Sequence, residues 1–475
     1  MKILVRLLFL VLVCLGLPAL AQEPPKLRAG AATSNITPPL GSPIVGGFRP
    51  YPATHVHDEL HARCLVLESG GTQVAFVVCD LLGAHEAVFD EARRLVTTET
   101  KLPGANLFMS CTHTHSAASA LGKSRYSAKP ELDEYQKFVA RRIADAVRCA
   151  LNNLAPAQVG WATGTEPREV FNRRWFLKPG TMPKNPFGDT TDRVKMNPGR
   201  ASKDLEKPAG PTDPEITLIA ARTPEGRPIG LLASYSLHYV GGVRGADISA
   251  DYFGMFCDRM QALLGADRQS PPFVAMLANG TSGNINNIDF SKPGEKREPY
   301  EKMREVADRV AEAAHAAYQK IEWRDSVPLA ARIEKLELGL RHPTAEQLER
   351  AKAILANPSE GAALSLDEIY AERTVRVSES PEKTEIWLQA MRVGDLAIAG
   401  IPGEVFVETG LAFKERSPFR PSCIISLNNG YYGYIPTPEH HQLGGYETWL
   451  GTSRLEVEAS TKILERLLGM VAALK

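Results

Sequence analysis

The strongest constraint on the fold is a set of short apolar runs in which polar residues do not alternate. They are ARCLVLES (62–69), QVAFVVCDLL (73–82), NLFMSCT (106–112), ITLIAAR (216–222), IGLLASYSLHY (229–239), FVAMLANG (273–280), EIWLQAMRV (385–393), DLAIAGI (395–401) and CIISLNN (423–429). A strand with one wet face alternates, whereas a strand that is apolar throughout is usually buried on both faces. Sheets of such strands need cover on both sides. Helical patterns supply it. Residues 131–154 place Leu132, Tyr135, Val139, Ile143, Ala146, Val147, Ala150 and Leu151 on one stripe, and residues 301–321 do the same with Met303, Val306, Val310, Ala313, Ala317 and Ile321. Thr344 and Gln347 read as a capping box, and a closing helix is expected from about Ala459. Strands and helices without strict alternation predict a mixed α/β (α+β) core, a central mixed sheet flanked by helices. No internal repeat is visible. Residues 178–215 and 287–300, rich in Pro, Gly, Lys and Asp, read as long loops.

The N-terminus reads as a cleavable signal peptide over residues 1–21. Lys2 and Arg6 precede an apolar stretch from Leu7 to Leu17, and Ala19-Leu20-Ala21 suits cleavage before Gln22. The stretch is short for a transmembrane helix, and bulky Val13 argues against lipidation at Cys14. A secreted or periplasmic location is expected, with residues 22–475 as a single domain. Cleavage leaves 53 basic and 55 acidic residues, so no basic excess points to nucleic acid. The remaining cysteines (Cys64, Cys79, Cys111, Cys149, Cys257 and Cys423) form no CxxC pair and no disulfide framework. Cys64 and Cys79, in consecutive strands, are the first pair to examine for a bridge.

Polar residues gather where the apolar runs end. NLFMSCT leads into His113 and His115, and IGLLASYSL into His238. FVAMLA leads into residues 279–286, DLAIAGI into Glu404, and CIISLNN into a Tyr-rich turn ending at Tyr434. Ligands of open sheets bind beyond the carboxyl ends of strands, so these ends could build one shared site. On an extended chain His113 and His115 project to one side. That spacing alone leaves a metal clamp, a catalytic pair and two hydrogen-bonded structural histidines all open. Glu404 alone reads equally as a first-turn helix glutamate. Two or three histidines with a carboxylate resemble a catalytic zinc set. The NGTSGNIN segment reads as a turn or as a nest of amide donors, and Ser282 does not sit in a GxSxG elbow. Arg173 and Arg174 suit a carboxylate or oxyanion.

Together, THTHS, NRR, LHYVGG with SADYFG, NGTSGNIN, IPGE and GYIPT resemble the neutral ceramidase family of zinc-dependent amidases. RAGAATSNITPPLG and HDELHARCLVLE strengthen the resemblance, which runs from about Leu27 to the C-terminus. It implies a Zn2+ ion held by His113, His238, Glu404 and Tyr434. It gives His115 a place facing the water and scissile carbonyl, Arg173 a substrate-orienting role, and Tyr446 a place lining the site. Asn286 stands where that family has its active-site serine, which favours attack by zinc-activated water. The chain ends one helix beyond the Tyr motif, so the C-terminal immunoglobulin-like domain of typical ceramidases is expected to be absent. Asp251, and more weakly Asp80, are candidates to hold a ligand histidine from behind. The expected activity is hydrolysis of an N-acyl amide, in a ceramide-like lipid or a related compound. An ester or non-lipid N-acyl substrate, and a non-catalytic binding protein on the same fold, are the alternatives. The partner is a small molecule or lipid, with room for peripheral membrane contact and no protein partner indicated.

Overall fold

Every apolar run forms a strand, and the strands fall into three sheets that share one inner core. The computed structural model describes residues 26–122, 131–359 and 364–475; the expected signal peptide lies outside the described residues. The first sheet uses β1 (Arg28–Asn35), β2 (His61–Ser69), β3 (Thr72–Cys79) and, after helix α1 (Glu86–Glu99), β4 (Leu107–Cys111). Helix α2 (Glu134–Asn152) follows. The second uses β5 (Gln158–Thr165), β6 (Glu215–Arg222), β7 (Pro228–Tyr235), then α3 (Asp251–Leu263), β8 (Val274–Asn279) and α4 (Glu301–Tyr318). The third uses β9 (Leu329–Gly339), β10 (Lys383–Val393), β11 (Leu396–Gly400), then α5 (Val407–Arg416), β12 (Ser422–Ile425) and α6 (Ala459–Ala472).

The same topology therefore occurs three times. In each sheet three strands run antiparallel, and a crossover helix then returns the chain to a fourth, parallel strand: β3 with β4, β7 with β8, β11 with β12; the first sheet adds the two-residue antiparallel edge strand Ala155–Pro156 beside β1. The absence of a sequence repeat hid this, because the units share connectivity and not side chains.

Burial explains the missing alternation. Along β3, Val74, Phe76 and Val78 face the inner core with Met276 of β8 and Ile398 of β11. Ala75, Val77 and Cys79 face outward beneath Val88 and Phe89 of α1 and Val139 and Ile143 of α2. Helices α3 and α4 cover the second sheet in the same way, and α5 and α6 the third. A strand between two dry layers has no position for a polar residue. The β2–β3 turn is Gly70-Gly71, with φ +59° and +78°, the backbone that tight hairpins require.

Three expectations change. Residues 178–215 are not one long loop: Val194–Met196 and Leu205–Pro208 pair with Arg174–Leu177 in a small sheet. Cys64 and Cys79 form no bridge; both are buried free thiols, and Cys64 lies opposite Val77. Glu404 is not in a first helical turn, since Glu404–Val405 is a short strand and α5 begins at Val407. Among the described residues no helix is long and apolar enough to cross a membrane.

Candidate active site

The three parallel strand pairs end at the same place, and their carboxyl ends deliver the polar cluster. His113 follows β4, His238 follows β7, and Glu404 follows β11. Glu404–Val405 pairs in parallel with Tyr434–Ile435, which sets Glu404 directly beside Tyr434.

The two histidines of THTHS do not converge by lying on an extended chain. The strand ends at Cys111, and His113 adopts φ +73°, the left-handed region. Its backbone N–H donates to Leu81 O at 2.9 Å, so the kink is held by the loop that follows β3. The rings then meet edge to face, with His115 Nε2 3.1 Å from His113 Nε2. One nitrogen from each of His113, His115 and His238 falls within 4.8 Å of the others.

Hydrogen bonds fix which ring atoms face the centre. His113 Nδ1 lies 2.6 Å from Leu82 O, and His238 Nδ1 lies 3.1 Å from Ser282 O. A carbonyl accepts only, so both Nδ1 atoms carry a proton and both Nε2 atoms are turned toward the centre. Glu404 Oε2 lies 3.3 Å from His113 Nε2 and 3.5 Å from His238 Nε2. His238 Nε2 and Glu404 Oε2 are buried, and neither has a hydrogen-bond partner. Opposed buried acceptors without a donor are costly. A cation between them removes the cost, and imidazole nitrogens, a carboxylate and a neighbouring phenol suit zinc.

The electrostatics agree. Burial, reinforced by Arg173 and His113, holds His238 well below the usual imidazole range. Burial and His113 do the same for His115. Burial would raise the Glu404 carboxyl, but His113 and the hydroxyls of Tyr434 and Tyr431 outweigh it and hold it at about 2. Burial pushes the Tyr446 phenol up to about 12. It stays protonated and can donate.

A cleft of ≈ 240 Å³ opens over the cluster; its walls include Arg173, Tyr434 and Tyr446 along with His113, His115 and Glu404. Beside it lies an apolar recess of ≈ 180 Å³ walled by Met182, Leu366 and Trp449, and the two share Phe48, Met196 and Tyr446. A larger groove of ≈ 590 Å³ along residues 57–63 and α3 holds none of these residues, so donor chemistry rather than volume marks the site.

The remaining candidates fall behind the cleft wall. Asn286 donates to Asn197 Oδ1 at 2.8 Å and accepts from Ile288 N at 2.9 Å; Asn197 lines the cleft. The NGTSGNIN segment is no anion nest, because its Gly280, Gly283 and Ile285 amides donate to Tyr235 O, Val405 O and Ser282 O. Ser282 Oγ donates to Asn279 Oδ1 at 2.6 Å. Asp251 holds no ligand histidine: it accepts the backbone N–H groups of Val240, Gly241 and Tyr252. Asp80 pairs with Arg63. Sequence reasoning missed three residues. Tyr239 stacks on His115 with centroids 3.6 Å apart at 10°. Tyr431 donates to Glu404 Oε1 at 2.7 Å. Glu447 pairs with Arg173. Tyr239 adjoins His238, and Tyr431 sits within the quoted Tyr-rich turn, so adjacency was the available signal.

A pH dependence follows. His238, His115 and His441 titrate near 6.5 when unfolded, and burial lowers all three in the fold, His441 to about 3. Below pH 6.5 the unfolded chain takes up protons that the folded chain refuses. Their contribution is therefore whole above pH 6.5 and is lost as pH falls toward the folded values. Metal-free protein should lose about 1.4 kcal/mol per pH unit for each such histidine. Chemical denaturation from pH 7.5 to 5 measures this, and a flat profile would contradict it.

The architecture is that of a known enzyme fold. No family model and no curated protein sequence matches the chain. Solved structures do. The neutral ceramidase from Pseudomonas aeruginosa superposes with TM-score 0.69 at 19% identity, over 94% of this chain and 74% of that one. A ceramidase complexed with C2 gives 0.67 at 17%, over 94% and 75%. The chain has the neutral ceramidase fold.

Proposed function

We propose that the protein is an exported zinc-dependent amidohydrolase that cleaves the amide of an N-acyl compound, a ceramide-like lipid or a relative of one. The observation that carries this reading is the opposed pair of orphaned acceptors, His238 Nε2 and Glu404 Oε2, with His113 Nε2 beside them. His113, His238, Glu404 and Tyr434 would hold the ion. When bound, zinc supplies Lewis-acid chemistry, acidifying water and polarising a carbonyl.

The chain's own residues do the rest. The Leu82 and Ser282 carbonyls fix the ligand tautomers, and Tyr431 orients the carboxylate. His115, held neutral and stacked on Tyr239, takes a proton from the attacking water at Nε2 and delivers it to the leaving nitrogen. Tyr446 donates to the oxygen that gains charge. Arg173 orients a polar group of the substrate. Ser282 Oγ is spent on Asn279 and Asn286 has no nucleophilic atom, which favours water over a covalent route. The apolar recess, with half-exposed Phe48 and Leu366 at its edge, supports a substrate with an apolar arm and contact with lipid surfaces. The leader pattern at 1–21 supports export.

An assay of labelled ceramide beside short N-acyl amides and matched esters tests the reading. Amide turnover that chelation abolishes is expected. Turnover of esters alone would move the bond, and turnover of nothing would leave a binding protein.

A further inference from the structure

Behind the cleft wall two arginines share one carboxylate. Glu447 is fully buried; it accepts from Arg173 Nε at 3.0 Å and from Arg174 Nη1 at 2.6 Å. Arg174 is fully buried too, and its Nη2 donates to Gly444 O at 2.6 Å and His440 O at 3.4 Å. Arg174 thus clamps the loop that carries both Tyr446 and Glu447. Gly444 and Gly445 take φ +71° and +89°, and a Cβ on Gly445 would stand 2.9 Å from Val194 O, so the loop has little freedom.

Arg173 is held on two sides. Glu447 takes its Nε edge, and its guanidinium carbon lies 5.3 Å from the centroid of the Tyr434 ring. Its Nη2 is buried, has no hydrogen-bond partner, and belongs to a residue that lines the cleft. One carboxylate between two guanidiniums leaves one positive charge uncompensated within the triad. A buried charge triad is weak evidence of stability, because desolvation offsets attraction. What the triad supplies is direction.

We infer that Glu447 is a positioning residue: acting through Arg173, it aims Arg173 Nη2 at an oxygen of the substrate. This rests on the amidohydrolase reading and narrows it. The substrate carries an oxygen acceptor, a hydroxyl or carboxylate, within reach of Arg173.

The test compares Glu447→Gln, Arg173→Met and the double variant on an N-acyl amide that the wild type turns over. Glu447→Gln should raise KM about tenfold with kcat changed far less, and metal content should stay at the wild-type level. In the Arg173→Met background the same change should add nothing, because the two act as one unit. A purely structural role would lower the active fraction, and hence kcat, and would leave KM unmoved. Wild-type KM in Glu447→Gln, or a further tenfold loss in the double variant, would overturn the inference. If Glu447→Gln does not fold, Glu447→Asp, which keeps the charge on a shorter stem, makes the same comparison. If the wild type turns over no amide, the reaction assignment fails separately. A crystal structure of the variant then judges Glu447 directly: a displaced Arg173 guanidinium supports the role, and an unmoved one refutes it.

Discussion

Glu404→Ala is expected to give a folded protein that does not retain zinc under conditions where the wild type does. The carboxylate is 4% exposed and, among the described residues, is the one anionic group within 3.5 Å of both His113 Nε2 and His238 Nε2. Even residues that only orient a ligand are worth 10–100-fold in metal affinity, so loss of a ligand should cost at least about 100-fold. Activity should fall by about 10³ or more, since Lewis-acid stabilisation is worth several kcal/mol of barrier. Stability should fall as well. In metal-free protein His113 and the Tyr434 and Tyr431 hydroxyls hold the Glu404 carboxyl at about 2, so its removal should lower the metal-free melting temperature. What disappears is the stabilisation by added zinc, which mass action makes a direct readout of affinity. Thermal melts with and without zinc, beside metal analysis, measure both parts.

His115→Ala separates clamp from catalyst. Its Nε2 lies 3.1 Å from His113 Nε2, close enough for either role. Two features favour catalysis. The ring stacks on Tyr239 rather than being tied by Nδ1 to a carbonyl, as the rings of His113 and His238 are. Glu404 Oε2 pairs with the other two histidines and not with His115. The variant should keep its metal and lose about 10²–10⁴ in kcat, the usual worth of a general acid–base. Loss of metal together with activity would instead make His115 a third imidazole ligand. Single-turnover rates on metal-replete protein, with metal content measured on the same sample, tell the two apart.

Much of this was legible before the fold was known, for a physical reason. Strands buried on both faces lose their polar positions, so runs such as QVAFVVC announce both the strand and the helices that must cover it. The polar residues after those runs gather in one cluster, because parallel pairs end together. The triplicated topology was not legible, since connectivity repeats without side chains repeating. Asp251 was misread for a related reason. Its position after His238 fits a partner to the ring as well as it fits a cap on Val240 and Gly241, and only the backbone path decides. The convergence of His113 and His115 was expected from an extended chain and is produced by a left-handed kink, so the right pairing came from the wrong geometry. Glu447 lay beyond reach, because it is 274 residues from Arg173 and its neighbours in sequence say nothing of two buried guanidiniums.

On the proposed reading, the acceptors of His113, His238 and Glu404 surround a zinc ion. Metal analysis of protein purified without chelator, then of protein stripped and dialysed against zinc, tests it most directly. One zinc per chain, restored after stripping and lost in Glu404→Ala, is the predicted result. No retained metal in the wild type, or the same zinc content in Glu404→Ala, would contradict it.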